Sequence, residues 1–96
     1  MLRVWGKLWN KHRIVKSYTA EDERTEDAMD LRVRRCLGEI VRAFDLPVPL
    51  WLSSNVDDMA RFGSTKFHQD HFIETFPYQS LEIEIVETDE EKEETR

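Results

Sequence analysis

The sequence predicts an α+β domain in which a long amphipathic helix packs on a small antiparallel or mixed sheet. Three observations predict it: alternating apolar residues near both ends of the chain, a helical apolar stripe between them, and a length of 96 residues, which suits one modest core. Charged residues make up 35% of the chain, but 10% are aromatic, too many for a wholly disordered chain. We expect one domain over residues 1–87 and a disordered acidic tail over residues 88–96.

The N-terminal segment predicts a β-hairpin whose first strand is central in the sheet. Large apolar side chains occupy both faces of residues 2–9, so that each face needs a cover or a partner. One face holds Leu2, Val4 and Leu8, and the other holds Trp5 and Trp9. Residues 10–13 form a polar turn, and residues 14–20 resume with β-branched and aromatic side chains. Gly6 marks either a bulge or a place of close packing.

A long helix is predicted over residues 26–45, with Thr25 as its N-cap. Apolar side chains recur there at steps of three and four residues and form one stripe. The stripe consists of Met29, Val33, Cys36, Leu37, Ile40, Val41 and Phe44. The helix ends before Pro47, because the residue that precedes a proline disfavours helical backbone. Residues 46–52 then cross the domain as an extended apolar segment.

The C-terminal half predicts a short second helix and a C-terminal strand. The helix spans residues 56–62, with Ser54 as its N-cap and Gly63 as its left-handed C-cap. Residues 65–76 fit neither a helical period nor a strand period. Residues 80–87 alternate strictly between inward and outward side chains. The inward side chains are Leu81, Ile83 and Ile85, and the outward ones are Glu82 and Glu84.

The charge distribution and the cysteine count exclude several classes of protein. Lys and Arg number 14 against 20 Asp and Glu, which gives a net charge of −6, and the acidic excess lies in the C-terminal quarter. No run of about 18 apolar residues exists to span a membrane, and the N-terminus lacks the apolar core of a secretory signal. The single cysteine, Cys36, excludes an internal disulfide framework and a cysteine-based zinc finger. We expect a cytoplasmic protein with no membrane partner.

A histidine-rich segment holds the residues best suited to bind a metal ion. These residues are His68, Asp70 and His71. A catalytic zinc or iron site needs three converging protein ligands, and no regular element points these three side chains to one side. A polar loop explains them better, and we predict neither a metal nor a cofactor. Cys36 lies on the apolar stripe, where a free cysteine behaves as a small buried hydrophobe.

The N-terminal hairpin combines basic and aromatic side chains. They are Arg3, Trp5, Lys7 and Trp9 on one face of the first strand, and Lys11 and Arg13 at the turn. Cations interleaved with aromatic rings are typical of platforms that bind single-stranded nucleic acid. The alternative is that the basic side chains cover the tryptophans and pair with Glu82 and Glu84 on a neighbouring strand. The acidity of the chain favours this alternative, because a net negative charge repels a polyanion.

Three stretches of the chain carry a resemblance to known proteins. They are MLRVWGKLW at residues 1–9, FDLPVPLWL at residues 44–52, and TKFHQDHFIE at residues 65–74 followed by LEI at residues 81–83. Together they resemble a family of short uncharacterised proteins from anaerobic Gram-positive, Clostridia-type bacteria. The resemblance implies a bacterial, cytoplasmic, stand-alone domain. The resemblance implies neither an activity nor any functional residue.

We therefore expect a non-enzymatic domain that acts through protein–protein contact or self-association. Trp5, Trp9 and Trp51 are the expected anchors, because aromatic and arginine side chains dominate the energy of interfaces. Two alternatives remain: a module that binds single-stranded nucleic acid through the hairpin, and a metal-dependent enzyme built around the histidine-rich segment. The choice among these functions depends on the environment of Trp5 and Trp9. The two rings are either covered by residues 46–76 or exposed to a partner.

Overall fold

A four-stranded antiparallel sheet and two helices make up the computed structural model, which describes residues 1–88. The strands are β1 (Leu2–Asn10), β2 (Arg13–Asp22), β3 (Ser64–Phe67) and β4 (Ser80–Glu87), the helices are α1 (Met29–Phe44) and α2 (Ser53–Phe62), and a 3₁₀ turn spans Gln69–His71. The strand order is β2-β1-β4-β3, and every neighbouring pair is antiparallel. The predicted α+β fold, with its N-terminal hairpin and long helix, is confirmed. The predicted tail over residues 88–96 lies outside the described residues, except for Thr88.

β1 and β2 form the predicted hairpin, and β1 is the predicted central strand. The two strands join through a two-residue turn at Lys11 and His12, whose φ angles are 52° and 64°. Positive φ at both turn residues gives a twist that matches the twist of the flanking strands. Asn10 pairs with Arg13 across the turn, and the other edge of β1 pairs with β4. β1 is therefore bonded along both of its edges.

The hydrophobic core lies between α1 and one face of the sheet. The strands contribute the fully buried side chains of Leu2, Val4, Leu8, Phe67, Leu81 and Ile83. The helix contributes Val33, Cys36, Leu37, Ile40, Val41 and Phe44, all of them buried. Met29, the first residue of the predicted stripe, stays 38% exposed, and Ile85 is partly buried at the margin of the core. The predicted core is confirmed apart from these two residues.

Gly6 allows α1 to approach the sheet closely. A Cβ atom placed on this residue would lie 2.5 Å from Cγ2 of Ile40, well inside van der Waals contact. Of the two expectations for Gly6, close packing is correct, and the register shifts of β1 fall at other positions. The missing side chain thus sets the distance between the helix and the central strand.

The start of α1 differs from the prediction. Thr25 is not the N-cap, because the helix begins at Met29 and residues 25–27 form a turn before it. The N-cap residue is an alanine that makes no side-chain hydrogen bond. Asp27 lies in the turn, and its carboxylate accepts a hydrogen bond from Nη2 of Arg35 at 2.8 Å. This acidic residue, which precedes the helix, is thus bonded to an arginine on the side of the helix.

α2 is longer than predicted, and Ser54 is not its N-cap. The helix begins at Ser53, three residues before the predicted start, and the backbone N–H of its N-cap residue, Leu52, donates to Oδ1 of Asn55 at 2.9 Å. The buried Asn55 also donates from Nδ2 to Oγ1 of Thr65 at 2.9 Å, which ties α2 to β3. The predicted C-cap, Gly63, is confirmed by its φ of 67°.

The ambiguous residues 65–76 contain two kinds of structure. The first three continue β3, and the 3₁₀ turn at Gln69–His71 follows after one residue. Beyond the turn, the Phe72 and Phe76 rings stack on each other, with 4.1 Å between their centroids. A single period could not describe a segment that changes conformation after four residues.

Candidate functional site

The face of the sheet that points away from α1, which we call the open face, carries the predicted stripe of basic and aromatic side chains. Its members, placed by strand register, include Arg3, Trp5, Lys7, Trp9, Ile14, Ser17, Thr19, Glu21, Ser64, Lys66, Glu82, Glu84 and Glu87. Both helices lie on the opposite side. α1 packs over Gly6, and α2 is bonded to Thr65, whose side chain shares the core face with its partner Ile83. The open face is therefore formed by the strands alone.

Lys7 is the centre of the open face and is almost fully buried, with 8% of its surface exposed. Its Nζ lies 3.0 Å from Oε1 of Glu84 and 3.6 Å from Oε1 of Glu82, so that two carboxylates on β4 share one ammonium group. The same Nζ lies 4.1 Å from the centroid of the Trp5 ring. A cation at this distance is attracted to the face of the indole ring. Lys7 thus holds Trp5 and the β4 glutamates in fixed positions.

Trp9 is held at the other end of the same stripe. Its indole N–H donates to Oε1 of Glu82 at 2.9 Å, and the ammonium of Lys66 lies 5.7 Å from its ring centroid. Trp5 and Trp9 are both half-buried, and Lys7, Lys66 and Glu82, which contact the two rings, are all strand residues. The two rings therefore present part of their surface to solvent in a fixed orientation.

The ion pairs of the open face match the expectation that the basic side chains of β1 pair with acidic residues of neighbouring strands. Besides the pairs of Lys7, Nε of Arg3 lies 3.3 Å from Oε2 of Glu21 and 3.2 Å from Oε1 of Glu87. The cations that a nucleic-acid platform would direct at phosphates are therefore already next to carboxylates. Such pairing reduces the positive potential that attracts a polyanion.

Lys11 and Arg13 lie at the tip of the hairpin, at the far end of the stripe from Arg3. Both are exposed, and within residues 1–88 neither makes an ion pair. The turn itself is fixed by Gln79, whose Oε1 accepts a hydrogen bond from the backbone N–H of His12 at 2.9 Å. The predicted basic set thus divides into a neutralised stripe and a charged tip.

Trp51, the third expected anchor, lies on the helix side of the sheet and shares no surface with Trp5 and Trp9. Its ring packs edge-on against Phe67 with 5.3 Å between centroids, and the Arg34 guanidinium lies 5.5 Å from its centroid. It lines a groove of about 270 Å³ between α1 and α2. The other lining residues are Met29, Asp30, Val33, Arg34, Val56, Met59, Ala60 and Ile85. The three tryptophans therefore belong to two opposite sides of the molecule.

The histidine-rich segment forms a hydrogen-bonded turn. Nδ1 of His71 accepts a hydrogen bond from the backbone N–H of His68 at 3.0 Å, and the same nitrogen lies 3.3 Å from Oδ1 of Asp70. The His71 ring also packs edge-on against Phe67, with 5.6 Å between centroids. Within residues 1–88, no three His, Cys, Asp or Glu side chains are grouped so that they could hold a metal ion.

A buried charge cluster at the end of β2 was not predicted. The Asp22 carboxylate accepts hydrogen bonds from Nε of Arg35 at 2.7 Å and from Nε of Arg32 at 3.3 Å, and Nη2 of Arg32 donates to the Asp22 carbonyl at 2.7 Å. The hydrogen bond from Arg35 is the largest cause that lowers the pKa of Asp22 to about 2. The cluster fastens α1 to the edge strand. The sequence did hold one signal, because Arg32 lies one helical turn before Cys36 on the inward side of the helix.

Cys36 lies beside this cluster and is 2% exposed. Burial is the main cause that raises the pKa of its thiol to about 11, so the thiol stays protonated at neutral pH. Nucleophilic cysteines require the thiolate form and an accessible position. Cys36 therefore serves as a small apolar side chain of the core, as its place on the helical stripe predicted.

No family model, no curated protein and no solved structure matches this chain. Among the described residues, no helix is long and apolar enough to cross a membrane.

Proposed function

We propose that this protein is a non-enzymatic interaction module that binds another protein through the open face of its sheet. The observation that carries the proposal is the pair of half-buried tryptophans, Trp5 and Trp9, which lie on one face of the sheet with their polar neighbours already bonded. Tryptophan is enriched among the residues that dominate interface energies. A ring that is held in place before binding loses little conformational entropy on association.

The charges around the two rings support a protein rather than a polyanion as the partner. Along β1 the face is basic, and along β4 it is acidic, so that the two signs lie in adjacent stripes. A partner that fits such a surface carries an apolar centre with both acidic and basic groups around it. A phosphate backbone would meet Glu82 and Glu84 next to every cation in the centre.

Two variants with opposite expectations test the use of the open face. Proteins captured by the full chain are identified and purified, and the affinity of each is measured by calorimetry. Trp5→Ala should raise the dissociation constant by about tenfold or more, whereas Phe62→Ala, which alters an apolar residue exposed on α2, should leave it unchanged. Equal affinities of the two variants would contradict the proposal.

A third variant distinguishes a loss of binding from a loss of folding, which could both follow from Trp5→Ala. Thr19 pairs with Trp5 across the sheet and is exposed, so Thr19→Arg adds bulk to the open face without entering the core. It should keep the circular dichroism spectrum and block binding. Binding that persists in a folded Thr19→Arg variant would show that the partner docks elsewhere.

A second candidate function rests on the hairpin tip. Lys11 and Arg13 are exposed, make no ion pair with a described residue, and lie two and four residues after Trp9. A single strand that stacks on Trp9 and contacts these cations would quench tryptophan fluorescence and bind more weakly as salt is added. Titration with oligothymidine at low salt tests it, with Lys11→Glu as the weakened variant and Arg61→Glu on α2 as the control. Absence of quenching at low salt would exclude this function.

The site of action that we propose is the bacterial cytoplasm. The single cysteine, which is buried as a free thiol, and the resemblance of residues 1–87 to short bacterial proteins support this compartment. Fractionation of the source cells followed by detection with a specific antibody tests it, and recovery of the protein outside the cytosolic fraction would contradict it.

A further inference from the structure

A polar pocket of about 440 Å³ is formed by α2, β3 and the 3₁₀ turn, and we call it the β3 pocket. Among the residues that line it are Ser54, Asp58, Phe62, Ser64, Lys66 and His71. Its walls are fixed relative to each other, because Asn55 on α2 donates hydrogen bonds to Oγ1 of Thr65 at 2.9 Å and to the carbonyl of Lys66 at 3.2 Å. This volume falls within the range of pockets that hold small molecules.

His71 contributes a hydrogen-bond donor to the β3 pocket. Its Nδ1 accepts the hydrogen bond from the backbone N–H of His68 at 3.0 Å. A neutral imidazole that accepts through one nitrogen carries its proton on the other, so that Nε2 is the N–H donor of the ring. The backbone N–H can only donate, which fixes this assignment.

Nε2 of His71 faces the space of the pocket. Within residues 1–88 it has no hydrogen-bond partner, although the residue is only 8% exposed. Among the buried and half-buried residues of the same range, no side-chain nitrogen or oxygen is both fully enclosed and without a partner. Nε2 therefore reaches accessible space, and the β3 pocket is the cavity that His71 lines. A donor held by a buried ring is oriented before binding, which reduces the entropy cost of association.

Asp58 contributes an acceptor to the same pocket. Its Oδ2 accepts a hydrogen bond from Oγ1 of Thr65 at 2.9 Å, so that the carboxylate has a fixed orientation. Its Oδ1 makes no hydrogen bond with the residues that the structure describes. Ser54 and Ser64 add two hydroxyl groups, each of which can donate and accept. The pocket therefore offers both donors and acceptors to a ligand.

The charges of the β3 pocket nearly cancel. Its formally charged residues are Asp58, Glu82 and Lys66. Glu82 is already bonded on the open face, where its Oε1 lies 3.6 Å from Nζ of Lys7 and accepts the indole N–H of Trp9. One carboxylate and one ammonium group remain. An anion would meet Asp58 and a cation would meet Lys66, so that the pocket favours an uncharged ligand.

Phe62 adds an apolar surface to the β3 pocket. Its side chain lines the pocket and the residue is 68% exposed. The face of an aromatic ring carries partial negative charge and attracts weakly positive hydrogen atoms. The C–H groups of a sugar ring or of a polyol chain suit such a surface, while the hydroxyl groups of the same molecule remain available to the polar residues.

We propose that the β3 pocket binds a small, uncharged, hydroxyl-rich molecule of the sugar or polyol class. One hydroxyl oxygen of the ligand accepts from Nε2 of His71, another hydroxyl donates to Oδ1 of Asp58, and the C–H groups pack on Phe62. Hydroxyl groups suit this site because each of them can donate and accept. The binding is non-covalent, and it goes beyond the proposed function because it does not require a partner on the open face.

Titration of the isotope-labelled full chain with maltose and with sorbitol tests the proposal by NMR. At least one of the two should shift the amide signals of Asp58, Lys66 and His71 in a saturable way, with a dissociation constant of about 1–10 mM. Inorganic phosphate and putrescine, which are charged, should shift these signals only at about tenfold higher concentration or above. The absence of a saturable shift with both neutral probes would overturn the proposal, as would tighter binding of either charged probe.

Two variants remove the proposed contacts one at a time. His71→Asn keeps a side-chain oxygen that can accept the N–H of His68 but has no donor at the position of Nε2. Asp58→Asn keeps an oxygen for Thr65 and replaces the free carboxylate oxygen by an amide. Each should weaken binding of the neutral probe about tenfold, because one hydrogen bond to a fixed group is lost. Asp57→Asn, an exposed change on α2, is the matched control and should leave the binding unchanged.

The comparison of Asp58→Asn with Asp57→Asn decides the outcome even if His71→Asn does not fold. Circular dichroism of each variant establishes that it is folded. Equal affinity of the folded Asp58→Asn variant and the control would overturn the proposed contact set.

A variant of the open face separates this pocket from the proposed function. Thr19→Arg, which should block the protein partner, lies on β2, and β1 and β4 stand between it and β3. It should bind the neutral probe as tightly as the natural chain does. Loss of the partner with retained probe binding shows two independent sites. Loss of probe binding in the folded Thr19→Arg variant would contradict the β3 pocket as the site, whatever the open face binds.

Discussion

The two faces of the sheet are built from alternate residues of the same strands, yet different interactions hold them together. On the core face, Leu8 and Leu81 are fully buried opposite each other. On the open face, the neighbouring residues Lys7 and Glu82 form an ion pair whose side chains are 10% and 17% exposed. The core face gains its stability from apolar area removed from water, whereas ion pairs near the surface contribute little. The comparison teaches that the exposed rim of the open face, at Arg3, can change for binding at little cost to the fold, whereas its buried centre, at Lys7, cannot.

Among substitutions on the two faces of the sheet, removal of a core side chain should lower the free energy of unfolding the most. Phe67 on β3 is fully buried, while the side chain of its neighbour Lys66 lies on the open face. Phe67→Ala should lower the free energy of unfolding by about 3–5 kcal/mol, because it removes buried apolar contacts and leaves a cavity. Lys66→Ala should change it by less than about 0.5 kcal/mol. Urea denaturation of both variants measures the difference, and equal losses would show that the two faces are not distinct.

Asp22 is a charged exception on the core face, and its removal should have the second largest effect. Asp22→Ala leaves the buried Arg32 without its carboxylate and should cost about 3 kcal/mol at neutral pH. Denaturation midpoints measure this cost. The exposed Asp57→Ala on α2 is the control and should lie close to the natural chain.

The same carboxylate should make the stability depend on pH. The pKa of Asp22 falls from an ordinary value of 3.8 to about 2 on folding, chiefly through the hydrogen bond from Arg35. A lowered folded-state pKa stabilises the protein above the unfolded value, and this stabilisation disappears as the pH falls from about 4 to about 2. Unfolding measured across this range should show a smaller decline in Asp22→Ala than in Asp57→Ala. A decline of the same size in both would contradict the role of Asp22.

The smallest effect is expected at the rim of the open face. Arg3 and its partners Glu21 and Glu87 are all substantially exposed. Arg3→Ala should therefore change the free energy of unfolding by about 0.2–1 kcal/mol, and added salt should reduce the difference further. Denaturation at low and high salt measures it. A loss as large as that of Phe67→Ala would mean that the open face is structurally essential.

The elements that follow a regular period could be predicted from the sequence. The strand alternation around Gly6 and over residues 80–87 and the helical stripe that includes Ile40 depend on local spacing, which the chain displays directly. The cluster of Asp22 with Arg32 could not be predicted in this way, because it depends on how α1 lies against β2. Two buried charges ten residues apart have no period that would reveal their contact.

The candidate site was predicted in part for the same reason. Strand alternation alone predicts which side chains of β1 share the open face, namely Arg3, Trp5, Lys7 and Trp9. The position of Trp51 on the other side of the sheet could not be predicted. It depends on the path of residues 46–52 across the domain, and the local sequence pattern does not determine this path. The starts of α1 and α2 were missed because Thr25 lies in the turn before α1 and Ser54 lies inside α2.

The position of β1 between β2 and β4 also constrains the order in which the chain can fold. β2 follows β1 after two residues, but the contact of Lys7 with Glu84 joins residues 77 positions apart. During synthesis, the second edge of β1 must therefore wait unpaired until residues 80–87 have left the ribosome. A two-stranded hairpin alone is marginally stable, and its open edge can pair with other nascent chains. Completion of the sheet is thus a late, long-range step, and aggregation competes with it throughout synthesis.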